Sequence, residues 1–327
     1  MLDAIPVGSR FRYADPVPLR VWRTAGYYTV TDATKNQFSL LTANVEIGSA
    51  LLSDAEHLLD HAAEHQVLIY RTINMKDWSS PAWLVVTFYY WSFFLALSLT
   101  RLLGQTVWYL DQEAVEGFSI AAPNPPVKKV GAGTFGLACG SKLNSTEREV
   151  ILCKSKESRL HEHLWKLFFK ICKAKLSKFQ AGTFDGLEER LFACFERSAT
   201  QLGSHWPSDL RNVVNYRPGF AYDTIRRTRV LGNFDYLKGD KRVSVENLID
   251  RLENNIALTR SASSVIQNPK IVSRMLVDFT FLLHAFVSEL HEDLLNRNSL
   301  DNRWKHNRGR FLRGEGLYCD SGLWPCY

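Results

Sequence analysis

Ser80-Pro-Ala-Trp-Leu-Val-Val-Thr-Phe-Tyr-Tyr-Trp-Ser-Phe-Phe-Leu-Ala-Leu-Ser-Leu-Thr-Arg101 decides the fold class. Ser80-Pro81 reads as an N-cap followed by a proline at the first helical position, where its missing N–H costs nothing. No charged residue occurs between Trp78 and Thr100, a run long enough to cross a bilayer. Eight aromatic residues are spread along that run, however, whereas membrane spans gather Trp and Tyr at their two ends. No polybasic flank accompanies it. A helix buried on all sides in a large domain gives this pattern, so the expectation is a core helix over 81–103 in a mainly α protein. A membrane-inserted effector that uses 78–100 is the alternative.

Outward from this helix the chain reads as further helices with β-like regions between them. Leu51, Ala55, Leu58, Leu59 and Ala62 recur at helical spacing and predict a helix over about 46–66. Phe11–Tyr13, Leu19–Arg23, Tyr27–Val30 and Phe38–Leu41 are aromatic and β-branched runs between turn residues and predict short strands. Beyond Gly104 the helical pattern resumes to about Ala114. Thr134–Cys139 and Glu149–Lys154 predict a β-hairpin, and helices follow at about 158–179, 185–201, near Pro207, at 245–258 and at 271–296. The expected organisation is a β-rich N-terminal extension over 1–45, a helical domain over 46–296 with a β-hairpin inserted at about 128–155, and a basic irregular C-terminal arm over 297–327.

Length and composition fit this organisation. The chain has 327 residues, 46% hydrophobic and 23% charged, enough for one large or two ordinary domains with real cores. No secretory leader pattern opens the chain. Its six cysteines form no C-x-x-C pair and four lie in apolar segments, the pattern of buried free thiols in a reducing, cytoplasmic setting. A bridge between Cys319 and Cys326 is the alternative for the last pair. The net charge of +6 is unevenly placed. Lys154–Lys178 holds eight basic and two acidic residues, and 302–314 holds five basic residues and no acid.

The basic segments supply the candidate nucleic-acid contacts. Arg159, Lys166, Lys170 and Lys173 share one helical face opposite Leu160, Leu164, Phe168, Ile171 and Cys172, and such a face can neutralise phosphates. A solvated lysine face is the plainer reading. Arg303, Lys305, Arg308, Arg310 and Arg313 are interleaved with Trp304, His306 and Phe311, so the arm could hold a backbone and stack bases, or dock on a protein partner or a second copy of the chain. His57, His61 and His65 lie at i, i+4 and i+8 on the first helix, and His57 and His61, one turn apart, are the candidate metal ligands, with Asp54 or Asp60 as added oxygen donors. They fall among Ser53, Glu56, Asp60 and Glu64, which reads as a solvated polar face. His161 and His163 point away from each other on a helix, and His284 and His291 share a face as buried structural histidines or an acid–base pair. Gly131-Ala-Gly-Thr-Phe-Gly136 matches G-x-G-x-x-G, but a strand-like run follows it where a nucleotide site needs a helix. No cofactor is implied.

Two stretches together resemble the HEPN superfamily. The segment 80–101, with paired aromatics and small residues ahead of an Ala/Leu-rich run, resembles its second core helix. Leu210-Arg-Asn-Val-Val-Asn-Tyr216 looks like its Arg-Asn-containing motif. The resemblance covers about 46–112 and 185–296. It implies a helical bundle, often dimeric, of a kind found as metal-independent ribonucleases in toxin–antitoxin, CRISPR and phage-defence systems, or as inactive binding modules. Active members place four to six residues between the Arg and a following His. Tyr216 stands where that His would be, and none of the nine His residues has an Arg at that spacing. The resemblance therefore implies a non-catalytic subunit of a bacterial defence or toxin–antitoxin-like complex that binds a protein partner and nucleic acid. The alternative is a diverged ribonuclease using Arg211, Asn212 and Tyr216.

Overall fold

The computed structural model describes residues 2–12, 14–74, 80–126, 130–142, 146–157, 159–180, 186–217, 219, 244–259, 269–297, 299–300, 308 and 310–311. The protein is mainly helical with one small antiparallel sheet. In chain order the elements are α1 (Leu19–Thr24), β1 (Thr29–Thr34), β2 (Gln37–Ala43), α2 (Asn44–Asn74), α3 (Pro81–Leu102), β3 (Gln105–Leu110) and α4 (Gln112–Ala121). They continue with β4 (Gly133–Lys142), β5 (Glu147–Lys154), α5 (Leu160–Gln180), α6 (Gly186–Leu202), α7 (Trp206–Tyr216), α8 (Val245–Leu258) and α9 (Pro269–Asn296). The chain forms two compact units, one of 1–59, 97–164 and 290–308, the other of 60–96, 165–289 and 309–327. The boundaries fall inside α2, α3, α5 and α9, so these helices contribute residues to both units.

The first unit is built on the sheet, in strand order β1-β2-β5-β4-β3. Alternation places Phe38, Leu40, Val150 and Leu152 on its buried face, with Phe38 opposite Leu152 and Leu40 opposite Val150. A continuous aromatic layer covers that face. Trp22 of α1 packs on Tyr28 at 5.0 Å, Tyr28 on Phe118 of α4 at 5.2 Å, and Phe118 on Phe38 at 5.4 Å. Asp111 caps α4 by accepting from the Ala114 amide at 2.8 Å.

Three expectations are corrected here. The hairpin at 128–155 is not a separate insertion, because β5 pairs along its length with β2, which joins the N-terminal strands to the same sheet. Leu19–Arg23 is helical, not extended. Pro18 fixes the entry into α1, and the amides of Val17 and Leu19 donate to the side chains of Ser53 and Asp54 on α2. After Gly104, residues 105–110 form a strand rather than a continued helix. Gly104 adopts φ +74°, the left-handed conformation that ends helices, and a side chain there would collide with Ala4.

The second unit is helical, with Phe279 of α9 at its centre. Its ring lies 4.8 Å from Phe195 of α6, 5.6 Å from Trp206 of α7, and 5.8 and 5.9 Å from Phe168 and Trp165 of α5. Phe281 meets Trp91 of α3 at 5.3 Å, and Phe286 meets Phe192 at 5.4 Å. By length and composition α3 and α9 could each cross a membrane, but most of each is buried inside the protein, as in the core helix of a globular domain.

Candidate functional site

The second unit assembles a cluster that no single stretch of sequence displays. Apart from its outward stripe, α3 is largely buried. Trp83, Thr87, Tyr90 and Phe94, spaced to share one face, are the stripe's exposed or half-exposed residues. On one side lies the second half of α2. His65 approaches Tyr90 at 5.7 Å and Phe94 at 5.3 Å between ring centroids, and His61 approaches Phe94 at 5.1 Å. On the other side lies α7, which begins at Trp206 with Pro207 in its first turn. Its Arg211 guanidinium sits over the Tyr89 ring at 5.7 Å and the Tyr90 ring at 5.6 Å. Arg211 also donates to the Tyr90 hydroxyl at 3.0 Å and to Asn212 Oδ1 at 2.8 Å.

The electrostatics of the cluster follow from these contacts. Burial pulls the Arg211 pKa down, but the Tyr90 hydroxyl and the Tyr90, Tyr89 and Tyr216 oxygens outweigh it and the net shift is upward. Burial pushes the Tyr89 hydroxyl up to about 12, so it stays protonated; it also accepts from Trp165 Nε1 at 3.4 Å. His65 Nδ1 lies 2.9 Å from the His61 carbonyl. A carbonyl can only accept, so Nδ1 carries the proton and Nε2 keeps its lone pair. Burial lowers the His65 pKa, which keeps the ring neutral at pH 7.

Arg211, Asn212 and Tyr216, the candidate catalytic residues, therefore lie on one side of this cluster, with Tyr216 71% exposed. The sequence reading took His65 only as the third of a row of histidines on one helix, and it missed the joining of Tyr89 and Tyr90 to Arg211. Tyr90 was visible as part of an aromatic pair, but its pairing with Arg211 spans 121 residues and leaves no local signal.

The nucleic-acid candidates separate by position. On α5, Lys170 and Lys173 are exposed and Lys166 is half-buried, all on one face, and no carboxylate follows Glu162 in the helix. Lys170 and Lys173 form no ion pair with the described residues. Arg159 precedes the helix, is exposed and pairs with Glu162 at 3.2 Å. Arg310 is exposed. Arg303, Lys305 and Arg313 lie outside the described residues.

Arg308 cannot meet a phosphate. It is buried, 3.0 Å from the Glu56 carboxylate, which also lies 2.9 Å from His291 Nε2. This corrects the reading of Glu56 and Ser53 as part of a solvated face, since both are buried. His57 packs edge-on against Phe11 at 6.0 Å, and His61 pairs with Glu64 at 3.3 Å. Among the described residues no group of three His, Cys, Asp or Glu could hold a metal ion. His163 stacks beside Gly136 of β4, and the glycine-rich run leads into that strand, so no helix N-terminus is available for a pyrophosphate. His284 and His291 are both buried.

Comparison with known proteins finds no matching family model, no matching curated protein and no matching solved structure.

Proposed function

We propose that the chain is a non-catalytic, HEPN-like helical subunit that binds nucleic acid and works with a protein partner in a bacterial defence or toxin–antitoxin-like assembly. The observation that carries this reading is the α5 face, where Lys166, Lys170 and Lys173 stand in line with no carboxylate among them. Such a face lowers the energy of a polyanion by releasing its condensed counterions. The helical core and the packing of Arg211 against the paired tyrosines of α3 support the HEPN component of the reading. The test is fluorescence anisotropy of labelled single-stranded and duplex oligonucleotides against the full chain at low salt. Binding to either is expected. Absence of any affinity, together with elution as a lone species in a native pull-down, would overturn the reading.

One observation favours a second reading, a diverged metal-independent ribonuclease. His65 brings an imidazole from α2 against the Tyr90 ring, whose hydroxyl Arg211 bonds, and its Nε2 keeps a lone pair that could accept a proton. Incubation of the protein with mixed RNA in the presence of a chelator tests it. Cleavage lost in both His65→Ala and Arg211→Ala is expected, and cleavage unaffected by either removes this reading.

A further inference from the structure

Cys153 stands apart from the other described cysteines. Burial pushes the thiols of Cys139 and Cys194 up to about 11 and about 12, and that of Cys172 well above the ordinary thiol range, so these three stay protonated and inert at pH 7. Cys153 is exposed. It ends the run Val150-Ile-Leu-Cys153, which suggests a buried thiol, but β5 alternates. Val150 and Leu152 take the core face of the sheet, and Cys153 points to the other face.

Three strands and one helix of the first unit meet at this thiol. On β2, Gln37 is paired with Cys153, and its Oε1 accepts from the thiol at 3.6 Å. On β4, the partner of Cys153 is Gly136. Opposite residues of an antiparallel pair point to the same face, so a side chain at 136 would lie beside the thiol. Glycine leaves that place open, and His163 of α5 fills it. Its Cε1 and Nε2 atoms each lie 3.6 Å from the point a Gly136 Cβ would occupy. The imidazole therefore replaces, as the cross-strand neighbour of Cys153, the side chain that β4 lacks. Cys139, on the same strand as Gly136, pairs with Val150 and so lies on the opposite face of the sheet, out of reach as a second thiol.

We propose that Cys153 is a site of reversible covalent modification, a thiol that exchanges with low-molecular-weight disulfides and has His163 as the base beside it. A thiol attacks as its thiolate, and an adjacent imidazole promotes that form. His163 takes the thiol proton. The Cys153 sulfur bonds to one sulfur of the small disulfide as the old S–S bond breaks, and the departing thiolate recovers the proton from His163. Cys153 is oxidised to a mixed disulfide, the small disulfide is the oxidant, and one small thiol leaves. With no second described cysteine on this face, the mixed disulfide is the end product, and an excess of small thiol runs the same steps backwards. Neither nucleic acid nor a protein partner enters this chemistry, so it stands whether or not the lysine face binds a polyanion.

The test incubates the full-length protein with oxidised glutathione at several pH values. Acid-quenched samples are peptide-mapped by mass, which gives the rate at Cys153 alone. At pH 7 Cys153 should react faster than the same cysteine in a synthetic peptide spanning 150–156, and reduced glutathione in excess should remove the adduct. His163→Gln should slow the reaction at pH 7 by at least about threefold, since a tenfold loss of thiolate is about half offset, on a logarithmic scale, by the greater nucleophilicity of the less stable thiolate. Its rate should then climb about tenfold per pH unit below pH 8.5, as for an ordinary thiol, where the wild type climbs less steeply. Gly136→Val keeps both groups but wedges a side chain between them, and it should reproduce the slower rate and the steeper pH profile. Circular dichroism checks the fold of both variants. A wild-type rate at Cys153 no higher than that of the peptide would overturn the proposal without recourse to any variant. So would a rate and pH profile that either folded variant leaves unchanged.

Discussion

Glu56 shows how a residue's spacing can mislead about its surroundings. It lies beside His57 and near Asp60 on α2, at positions that read as a polar helix face, yet it is fully buried. Its partners are His291 and Arg308, 235 and 252 residues away, and no local pattern announces them. The same distance explains why Arg308 reads as a phosphate contact in an Arg-rich segment when its charge is already satisfied inside the first unit. Arg211 is the opposite case. Its place beside Asn212 was legible because the motif is local, while Tyr90 and His65 come from two other helices. The buried triad gives a quantitative expectation. Glu56→Gln removes the carboxylate charge from beside the Arg308 guanidinium in a low-dielectric site, and breaking a buried pair from one side costs about 3 to 5 kcal/mol. Urea denaturation should show that loss. A change below about 1 kcal/mol would mean the cluster is hydrated and the ion pair adds nothing measurable, as at a surface.

Among the elements, those with long-range periodicity were legible and those decided by tertiary contacts were not. The apolar stripe of α9 and the alternating run of β5 follow from side-chain spacing alone. The six residues of α1 do not, because a helix this short has no intrinsic stability, and Ser53 and Asp54 supply its N-terminal acceptors from elsewhere in the chain. The strand β3 was hidden for a related reason. Its residues Thr106, Val107 and Leu110 fit helical spacing as well as alternation, and only the pairing of 105–110 with 133–138 of β4 selects the strand. For α5 the element itself is the prediction. If Lys166, Lys170 and Lys173 each neutralise a phosphate, replacing all three by Gln removes about 0.9 per contact from the slope of log affinity against log salt on duplex DNA, so the slope should flatten by about two to three units. Folding stability should scarcely move, since exposed charges contribute little. Affinity titrations at four or more salt concentrations measure the slope. An unchanged slope in a folded triple variant would make this face an ordinary solvated one.

At the scale of the whole molecule, the mainly helical class was readable from composition and periodicity, while the two discontinuous units were not, because their boundaries fall inside helices that show no break in sequence. Stability against pH is likewise a property of the sum, and two residues of α9 make it testable. Burial pushes the Asp278 carboxyl up to about 6, a rise that Arg251, Asn255 and Arg274 only partly oppose. Burial pushes the His284 imidazole down to about 3. The raised carboxyl favours the fold most at low pH, and that contribution is lost as pH climbs from about 4 to 6. The depressed imidazole favours the fold most above pH 6.5, and that contribution is lost as pH falls from 6.5 towards 3. Near pH 5 the folded chain holds one proton on Asp278 and none on His284, while the unfolded chain holds none on the aspartate and one on the histidine. Proton uptake on unfolding is then close to zero for the pair, and the pair's stability profile is flat from about pH 4 to 6. Asp278→Asn should unmask the histidine, so that stability falls with acidification below pH 6.5 by up to about 1.4 kcal/mol per pH unit relative to wild type. His284→Leu should unmask the aspartate and give the opposite slope between pH 4 and 6. Urea midpoints measured at half-unit steps, taken as differences from wild type, isolate these two groups from all others. Difference profiles that are level in both variants would show that neither group titrates in the buried state that the fold assigns to it.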